Sequence, residues 1–226
     1  MPQDFVIKLG GSITHPDGIN VDFLKDFYNL ITQEIANDKR FVIVSGGGAL
    51  CRKFNKAARH ITEVSDEDID WLGIHATRLN AHLLRTIFAK EANPTLFKKR
   101  GRIEEFGGYR IIIGGGWEPG HSSDFVGVQI AADFKIPQTI IMGKPEYVYD
   151  RDNQEFDDAK PFLRLKWEEY LKLIPNEWSP AASTPVDPIA AKLAQKEGIR
   201  VIVAGRDLAN LKNIIEGKEF KGTTIL

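Results

Sequence analysis

A chain of 226 residues, 42% hydrophobic and 27% charged, carries enough apolar material for a substantial core and too much for a disordered segment. Its 30 basic residues against 31 acidic ones leave a net charge of −1, so no cationic excess points to nucleic acid and no basic amphipathic segment points to a membrane. One cysteine, Cys51, excludes an internal disulfide, and no apolar run is long enough for a leader or a bilayer span, so a reducing cytoplasm is the expected setting.

The first predicted strand is Phe5-Val6-Ile7-Lys8-Leu9, closed by Gly10-Gly11-Ser12. A buried strand that ends in glycines and runs toward a helix sets bare backbone N–H groups at the carboxyl edge of a sheet, which is a place for phosphate. Without a Cβ, Gly10 and Gly11 admit an anion close to the chain, and Lys8 brings a full positive charge to the same point. A tight turn explains the glycines more cheaply, but the pattern returns twice.

Thr14 to Asn20, with Pro16, Asp17 and Gly18, reads as a loop. Apolar residues at Phe23, Leu24, Phe27, Leu30, Ile31 and Ile35 recur at helical spacing, which predicts an amphipathic helix over Val21 to Asn37. Phe41 to Ser45 is a second strand, ending in Gly46-Gly47-Gly48, and a second helix is predicted from Ala49 to Ile61. Strand, helix, strand, glycine loop, helix is the beginning of a parallel α/β sheet. If the two strands lie side by side, both glycine edges face one crevice, and Arg52, one turn into the helix, can reach the same anion. Cys51 beside it is read as a small buried residue.

The acidic run Val64 to Asp70 reads as a solvated helix start. The helix predicted from Trp71 to Phe88 marks one face with Leu72, His75, Leu79, Leu83 and Ile87, interrupted by Arg78, Asn80 and His82. Its two histidines are expected at the surface or in an interface. Lys90 to Gly107 is predicted to be mainly loop.

A third strand, Tyr109 to Ile113, precedes the most informative stretch: Gly114-Gly115-Gly116-Trp117-Glu118-Pro119-Gly120-His121-Ser122-Ser123-Asp124. An N-cap serine and a first-turn aspartate before the helix Phe125 to Phe134 account for Ser122, Ser123 and Asp124. They do not account for the glycine run or the Pro-Gly corner. Asp124 is placed either to hold a metal or to orient a lysine. Then follow a strand at Gln138 to Met142, a polar loop from Gly143 to Asp158, and a helix at Leu163 to Leu173. An irregular stretch from Pro175 to Pro185 leads to a helix at Ile189 to Glu197, opened by Pro188 and ended by Gly198. A strand at Arg200 to Ala204, a helix at Leu208 to Glu216 and an edge strand at Thr223 to Leu226 complete the pattern.

The set Lys8-Leu9-Gly10-Gly11-Ser12, Val44-Ser45-Gly46-Gly47-Gly48, Gly73 to Asn80, Gly114-Gly115-Gly116 with Pro119 to Asp124, and Val186 to Lys192 resembles the amino-acid kinase superfamily. Within it the chain is similar to the archaeal type of uridylate (UMP) kinase, from Phe5 to Ile225. The resemblance implies a three-layer αβα sandwich with a mainly parallel central sheet, as one domain over residues 1–226, with acceptor binding in roughly 1–135 and ATP binding in roughly 136–226. It implies transfer of the ATP γ-phosphate to UMP, with magnesium, in a homohexamer built as a trimer of dimers, and no nucleic-acid or membrane partner. By motif, Lys8 stabilises the transferred phosphoryl and Asp124 organises that lysine or the magnesium, with Asp187 as a second metal candidate. Gly10, Gly11, Ser12, Gly48, Arg52 and Lys144 meet the ATP phosphates, and Tyr149 and Asp152 sit by its adenosine. Gly47, Asp70, Trp117, Glu118, Pro119, Gly120, His121, Ser122 and Ser123 surround UMP.

Two stretches depart from the family. Trp117-Glu118 stands where Thr-His is usual, and Gly143-Lys144-Pro145-Glu146-Tyr147-Val148-Tyr149 stands where Thr-Asn-Val-Asp-Gly-Val-Tyr is usual. A carboxylate beside a substrate phosphate weakens binding unless it turns away or holds metal. Two other readings therefore stay open: a kinase of the same fold with another phosphate- or carboxylate-bearing acceptor, and a non-catalytic nucleotide- or anion-binding protein.

Overall fold

The computed structural model describes residues 2–177 and 184–226. Residues 178–183, within the stretch expected to be irregular, lie outside the described residues.

The chain alternates strands and helices. In order they are β1 Gln3–Leu9, α1 Gly11–Thr14, α2 Val21–Ala36, β2 Lys39–Ser45, α3 Gly48–Ile61, α4 Asp66–Ile87, β3 Ile111–Gly114, α5 Ser123–Asp133 and β4 Gln138–Met142. A small hairpin of β5 Val148–Tyr149 and β6 Pro161–Phe162 follows, then β7 Arg164–Leu165, α6 Trp167–Leu173, α7 Pro188–Glu197, β8 Arg200–Ala204, α8 Leu208–Ile215 and β9 Thr223–Ile225.

Seven strands form one sheet in the order β3-β2-β1-β4-β8-β9-β7. The first five run parallel, β9 is antiparallel to β8, and β7 is parallel to β9. Because side chains alternate along a strand, each strand feeds two cores. Phe5, Ile7 and Leu9 of β1 pack with α2, α4 and α8, through residues such as Phe27, Ile31, Leu84 and Leu211. Val6 points the other way, toward Val126, Val128 and Ile130 of α5 and the alanines of α7. Lys8 shares that second face, so its ammonium emerges at the carboxyl edge on the side of α5. Both faces are covered by helices, which is the three-layer αβα arrangement.

Most predicted elements appear, and the differences have local causes. The acidic run is the first turn of α4: Ser65 caps it by accepting from the Asp68 amide at 3.1 Å, and Asp66, Glu67 and Asp68 sit where the helix dipole favours negative charge. The face of α4 expected to be its apolar seam is only in part the buried one: Leu83 and Ile87 pack against the core, partly buried. Leu79 is 62% exposed, whereas Ile69, Ile74, Ala76, Asn80, Ala81 and Leu84 are buried. Where two glycine loops pack against this helix, Ala76 and Asn80 face the Gly46-Gly47 turn, and Thr77 with Ile74 faces Gly116. The helix expected from Leu163 begins only at Trp167; before it the chain runs as β6 and β7, too short to show a period. Cys51 is half-buried rather than buried. Among the described residues no helix is long and apolar enough to cross a membrane.

The first two glycine loops meet backbone against backbone. The Gly46 amide donates to the Leu9 carbonyl at 2.8 Å, and the Gly10 amide donates to Met142 at 2.8 Å. A Cβ on Gly11 would fall 2.0 Å from the Gly48 nitrogen, and one on Gly48, whose φ is +63°, would fall 2.3 Å from the Gly11 oxygen. Neither obstacle can swing away, since both are main chain. Gly11→Ala is therefore expected to cost about 3 kcal/mol or more, or to prevent folding. Gly101→Ala, also at positive φ (+72°) but with nothing within 4 Å, should cost only about 1–2 kcal/mol of backbone strain. Urea denaturation of the two variants checks the contrast.

Candidate active site

The carboxyl ends of β1, β2, β3, β4 and β8 open into one cleft of ≈ 530 Å³. Open parallel sheets place ligands at this edge. The cap residues of three helices line it: Gly47 of α3, Ser122 of α5 and Asp187 of α7. The amides of Gly11, Ser12 and Gly47 find no protein acceptor among the described residues. Helix N-termini and bare amides together make an anion-binding edge.

Lys8 stands at its centre. Its Nζ lies 2.7 Å from Asp124 Oδ1, with side chains only 14% and 10% exposed. A pair this buried contributes little net stability, because desolvation offsets the attraction. What it fixes is the direction of the ammonium. Asp124 is the first-turn acid of α5, whose cap Ser122 accepts from the Asp124 and Phe125 amides at 3.1 and 3.0 Å. Ser122 in turn donates its hydroxyl to Asp187 Oδ2. Asp187 caps α7 by accepting from Ile189 at 2.8 Å and Ala190 at 3.0 Å. Burial, and then the charge of Asp124, push the Asp187 carboxyl above the usual carboxylate range.

Two residues to which the sequence reading gave no role in the site hold these groups in place. The Tyr170 hydroxyl donates to the Val186 carbonyl at 2.6 Å and accepts from the Val186 amide at 2.7 Å, fixing the residue before Asp187. Burial raises its phenol far above the ordinary value. Asn80 Nδ2 donates to the carbonyls of Gly46 and Gly47 at 2.9 and 3.2 Å and so holds the second glycine loop. A polar residue in the midst of an apolar helix was the available signal; its partner was not.

Of the expected site residues, the cleft gathers Lys8, Gly10, Gly11, Ser12, Gly47, Gly48, Arg52, Asp70, His121, Ser122, Ser123, Asp124, Lys144 and Asp187. Arg52 sits at its mouth, donating to the Pro16 carbonyl at 2.9 Å. Asp70 accepts from the Gly120 amide at 2.7 Å; burial raises its carboxyl, against the pull of that hydrogen bond and of His121. Cys51 also lines the cleft, with its thiol raised by burial.

The structure sets other residues apart. Trp117 does not turn its indole into the cleft: it is 6% exposed, lies 5.5 Å from the Phe97 ring, and donates Nε1 to the Phe97 carbonyl at 3.3 Å. Phe97, Phe106 and Phe134 make an apolar niche for it, which explains the departure at this position. The Glu118 side chain is 68% exposed and faces His121 Nδ1 at 3.4 Å. With Pro119 it borders a second cleft outside the loop. Gly120 meets the first cleft only through its amide on Asp70. Tyr149 lies on the hairpin, its ring against Tyr147, and Asp152 is spent on the Gln154 amide at 2.8 Å in an exposed turn. Neither reaches the cleft wall.

The amino acid kinase family matches residues 4–205 of the chain. Uridylate kinase of Thermoplasma volcanium is 34% identical over 100% of this chain and 98% of its own, and uridylate kinase of Methanocaldococcus jannaschii is 30% identical over 94% and 95%. Among solved structures, uridylate kinase from Archaeoglobus fulgidus superposes with a TM-score of 0.80 at 26% identity, covering 98% of this chain and 100% of that one. Aspartate kinase from Synechocystis shares the fold with a TM-score of 0.75 at 17% identity, this chain corresponding to 39% of its length. The match over residues 4–205, with relatives 30–34% identical over nearly the whole length, establishes that the chain belongs to the amino acid kinase family.

Proposed function

We propose that this chain is a kinase that transfers the γ-phosphate of ATP to UMP, giving UDP and ADP. The observation that carries the reading is one buried, oriented cation, Lys8, between glycine edges on adjacent strands. The full-length relatives named uridylate kinase support it. A phosphate oxygen of UMP forms the new bond to the γ-phosphorus while the bond from that phosphorus to the β,γ-bridging oxygen breaks, and ADP leaves with the electron pair. The acceptor oxygen is already anionic, so no base is required. The protein has to position two anions and offset the charge of the transferred group.

Lys8 supplies that charge, and Asp124 holds it in place. Gly10, Gly11, Ser12, Gly48, Arg52 and Lys144 take the ATP phosphates, and the adenosine would extend beyond the cleft wall to reach Tyr149 and Asp152. Gly47, Asp70 and the segment His121 to Ser123 take UMP. The burial of the Trp117 indole removes the bulk that favoured a different acceptor, and Glu118 points away from the cleft.

Asp124 and Asp187 fit magnesium. Both carboxylates are buried, and the elevated Asp187 group signals negative charge short of a cation. Magnesium is ordinarily held by one or two carboxylates together with substrate phosphates, and among the described residues no cluster of three ligating side chains competes for it. When bound it neutralises phosphate charge.

The chain is also proposed to assemble with copies of itself into a hexamer, as a trimer of dimers. Exposed Ile19, Val21 and Leu79 support this, flanking a groove lined by Leu24, Tyr28, Leu83 and Ile87. Light scattering at micromolar concentration should give a multiple of the chain mass, and a monomer would remove the idea.

Turnover with ATP and magnesium should be highest for UMP in a panel with CMP, dUMP, AMP, GMP, acetylglutamate, aspartate and carbamate. Lys8→Ala should lower kcat by about 100-fold or more, and wild-type turnover in that variant rules out the role given to Lys8. Asp187 yields a test by pH. Its folded value lies above its unfolded value, so its contribution to stability is complete below the unfolded value, about 3.9, and is lost as pH rises through the folded one. Asp187→Asn retains an acceptor for Ile189 and Ala190 without the charge. Urea midpoints should therefore fall less for the variant than for wild type between pH 4 and 7. In the same variant, magnesium with ATP should raise the melting temperature less than in wild type.

A further inference from the structure

The loop between β3 and α5 is pinned to α4 at three places. Gly120 donates to Asp70, as described. The Gly116 amide donates to Thr77 Oγ1 at 2.7 Å, and that hydroxyl donates to the Ile74 carbonyl at 2.7 Å. Arg78 makes the third attachment. Its Nε donates to the Gly116 carbonyl at 2.9 Å and its Nη2 to the Trp117 carbonyl at 2.7 Å. One guanidinium fork thus grips two successive carbonyls.

The fit is close. A Cβ on Gly115 would lie 3.2 Å from Arg78 Cα, and one on Gly116 would lie 3.0 Å from Thr77 Oγ1. On the opposite side the Trp117 indole is sunk among Phe97 and its neighbours. The backbone at residues 116 and 117 is therefore held between a guanidinium and an aromatic niche. Arg78 itself does not border the cleft that holds Lys8; Gly116, Thr77 and Ile74 do.

The cation is used in an unusual way. The guanidinium is half-buried, and burial lowers its pKa. Among the described residues no carboxylate pairs with it. The guanidinium's other neighbours are the Lys98 carbonyl at 3.5 Å and the Trp71 ring, 5.9 Å from Cζ, and a charge desolvated against such neutral partners is a poor stabiliser. A planar fork that fixes two peptide groups in one orientation is a good template, and a lysine cannot reproduce it.

We propose that Arg78 is the positioning residue of the acceptor end: it sets the backbone of Gly116 and Trp117 and, through them, the loop that encloses the acceptor up to Ser123. This rests on the reading of the chain as a UMP kinase. The donor phosphates meet other loops, so the effect of losing Arg78 should fall on one substrate.

The test uses the full chain with Arg78→Met, which keeps an apolar stem of similar reach, and Arg78→Lys, which keeps the charge without the fork. For Arg78→Met, KM for UMP should rise on the order of 10-fold, the loss expected for a charged hydrogen-bonded fork acting indirectly. KM for ATP should change less than about 2-fold, and Arg78→Lys should recover only part of the loss. Hydrogen exchange read by mass spectrometry, with no substrate present, should quicken in peptides covering 115–122 and stay unchanged in β1 and β4. Equal rises in both KM values, or full recovery by lysine, overturn the inference. So does unchanged exchange in 115–122. Failure of the wild type to phosphorylate UMP tells against the functional reading instead, and the exchange result then decides by itself whether Arg78 holds the loop.

Discussion

Everything at the candidate site depends on two main-chain segments touching with nothing between them. Gly11 and Gly48 approach so closely that neither has room for a single extra carbon. That contact sets the ends of β1 and β2 edge to edge, brings Lys8 to the lip of the sheet, and leaves the amides of Gly11, Ser12 and Gly47 turned to the same space. Side chains could not make this surface, since a cradle for phosphate needs peptide groups at close range. The cost falls on α4, which must keep a small residue, Ala76, beside Gly47 and must supply Asn80 to the carbonyls that the turn leaves over. The glycines, the alanines of α4 and the buried asparagine are one structural solution rather than three separate features.

Around that contact the charges form a chain. Lys8 is aimed by Asp124, Asp124 is fixed by the cap of α5, the capping Ser122 donates to Asp187, and Tyr170 holds the peptide before Asp187. The links tie the end of β1 to the start of α5, and the start of α5 to the start of α7. The arrangement concentrates two carboxylates and one cation in a poorly solvated place, where charge is costly unless something offsets it. The elevated Asp187 group marks that cost. Under the proposed function, a site incompletely balanced by its own side chains would gain from a divalent cation and a triphosphate arriving together.

The part of this that was legible in the sequence follows from what repeats. β1, β2, β3, β4 and β8 are apolar runs with glycine at or just after their ends, and their alternation with helical periods pointed to the parallel sheet. The cleft was legible because its residues cluster at those glycines. What was not legible depends on who meets whom across the fold. The inner face of α4 was misread in part because Leu79, taken with the apolar set, turns to solvent, while the polar Asn80 turns in to the second glycine loop. Tyr170 and Asn80 looked like ordinary residues because their partners, Val186 and Gly46, are far away in sequence. Strands of two residues, such as β6 and β7, have no period to read.

Trp117 is the most instructive of the misplacements. Read in line, an indole and a carboxylate in the loop after β3 seem to crowd an anion site. In the fold the loop turns its carbonyls toward Arg78, one amide toward Thr77 and another toward Asp70, and the side chain at 117 must therefore leave on the far side. There Phe97, Phe106 and Phe134 provide a niche wide enough for an indole. The working surface of this loop is its backbone, so the side chain at 117 is chosen by the core behind it and not by the ligand in front. A change of residue type at such a position alters packing first, and its bearing on the acceptor is limited to how firmly it holds the peptide groups of Gly116 and Trp117 in place.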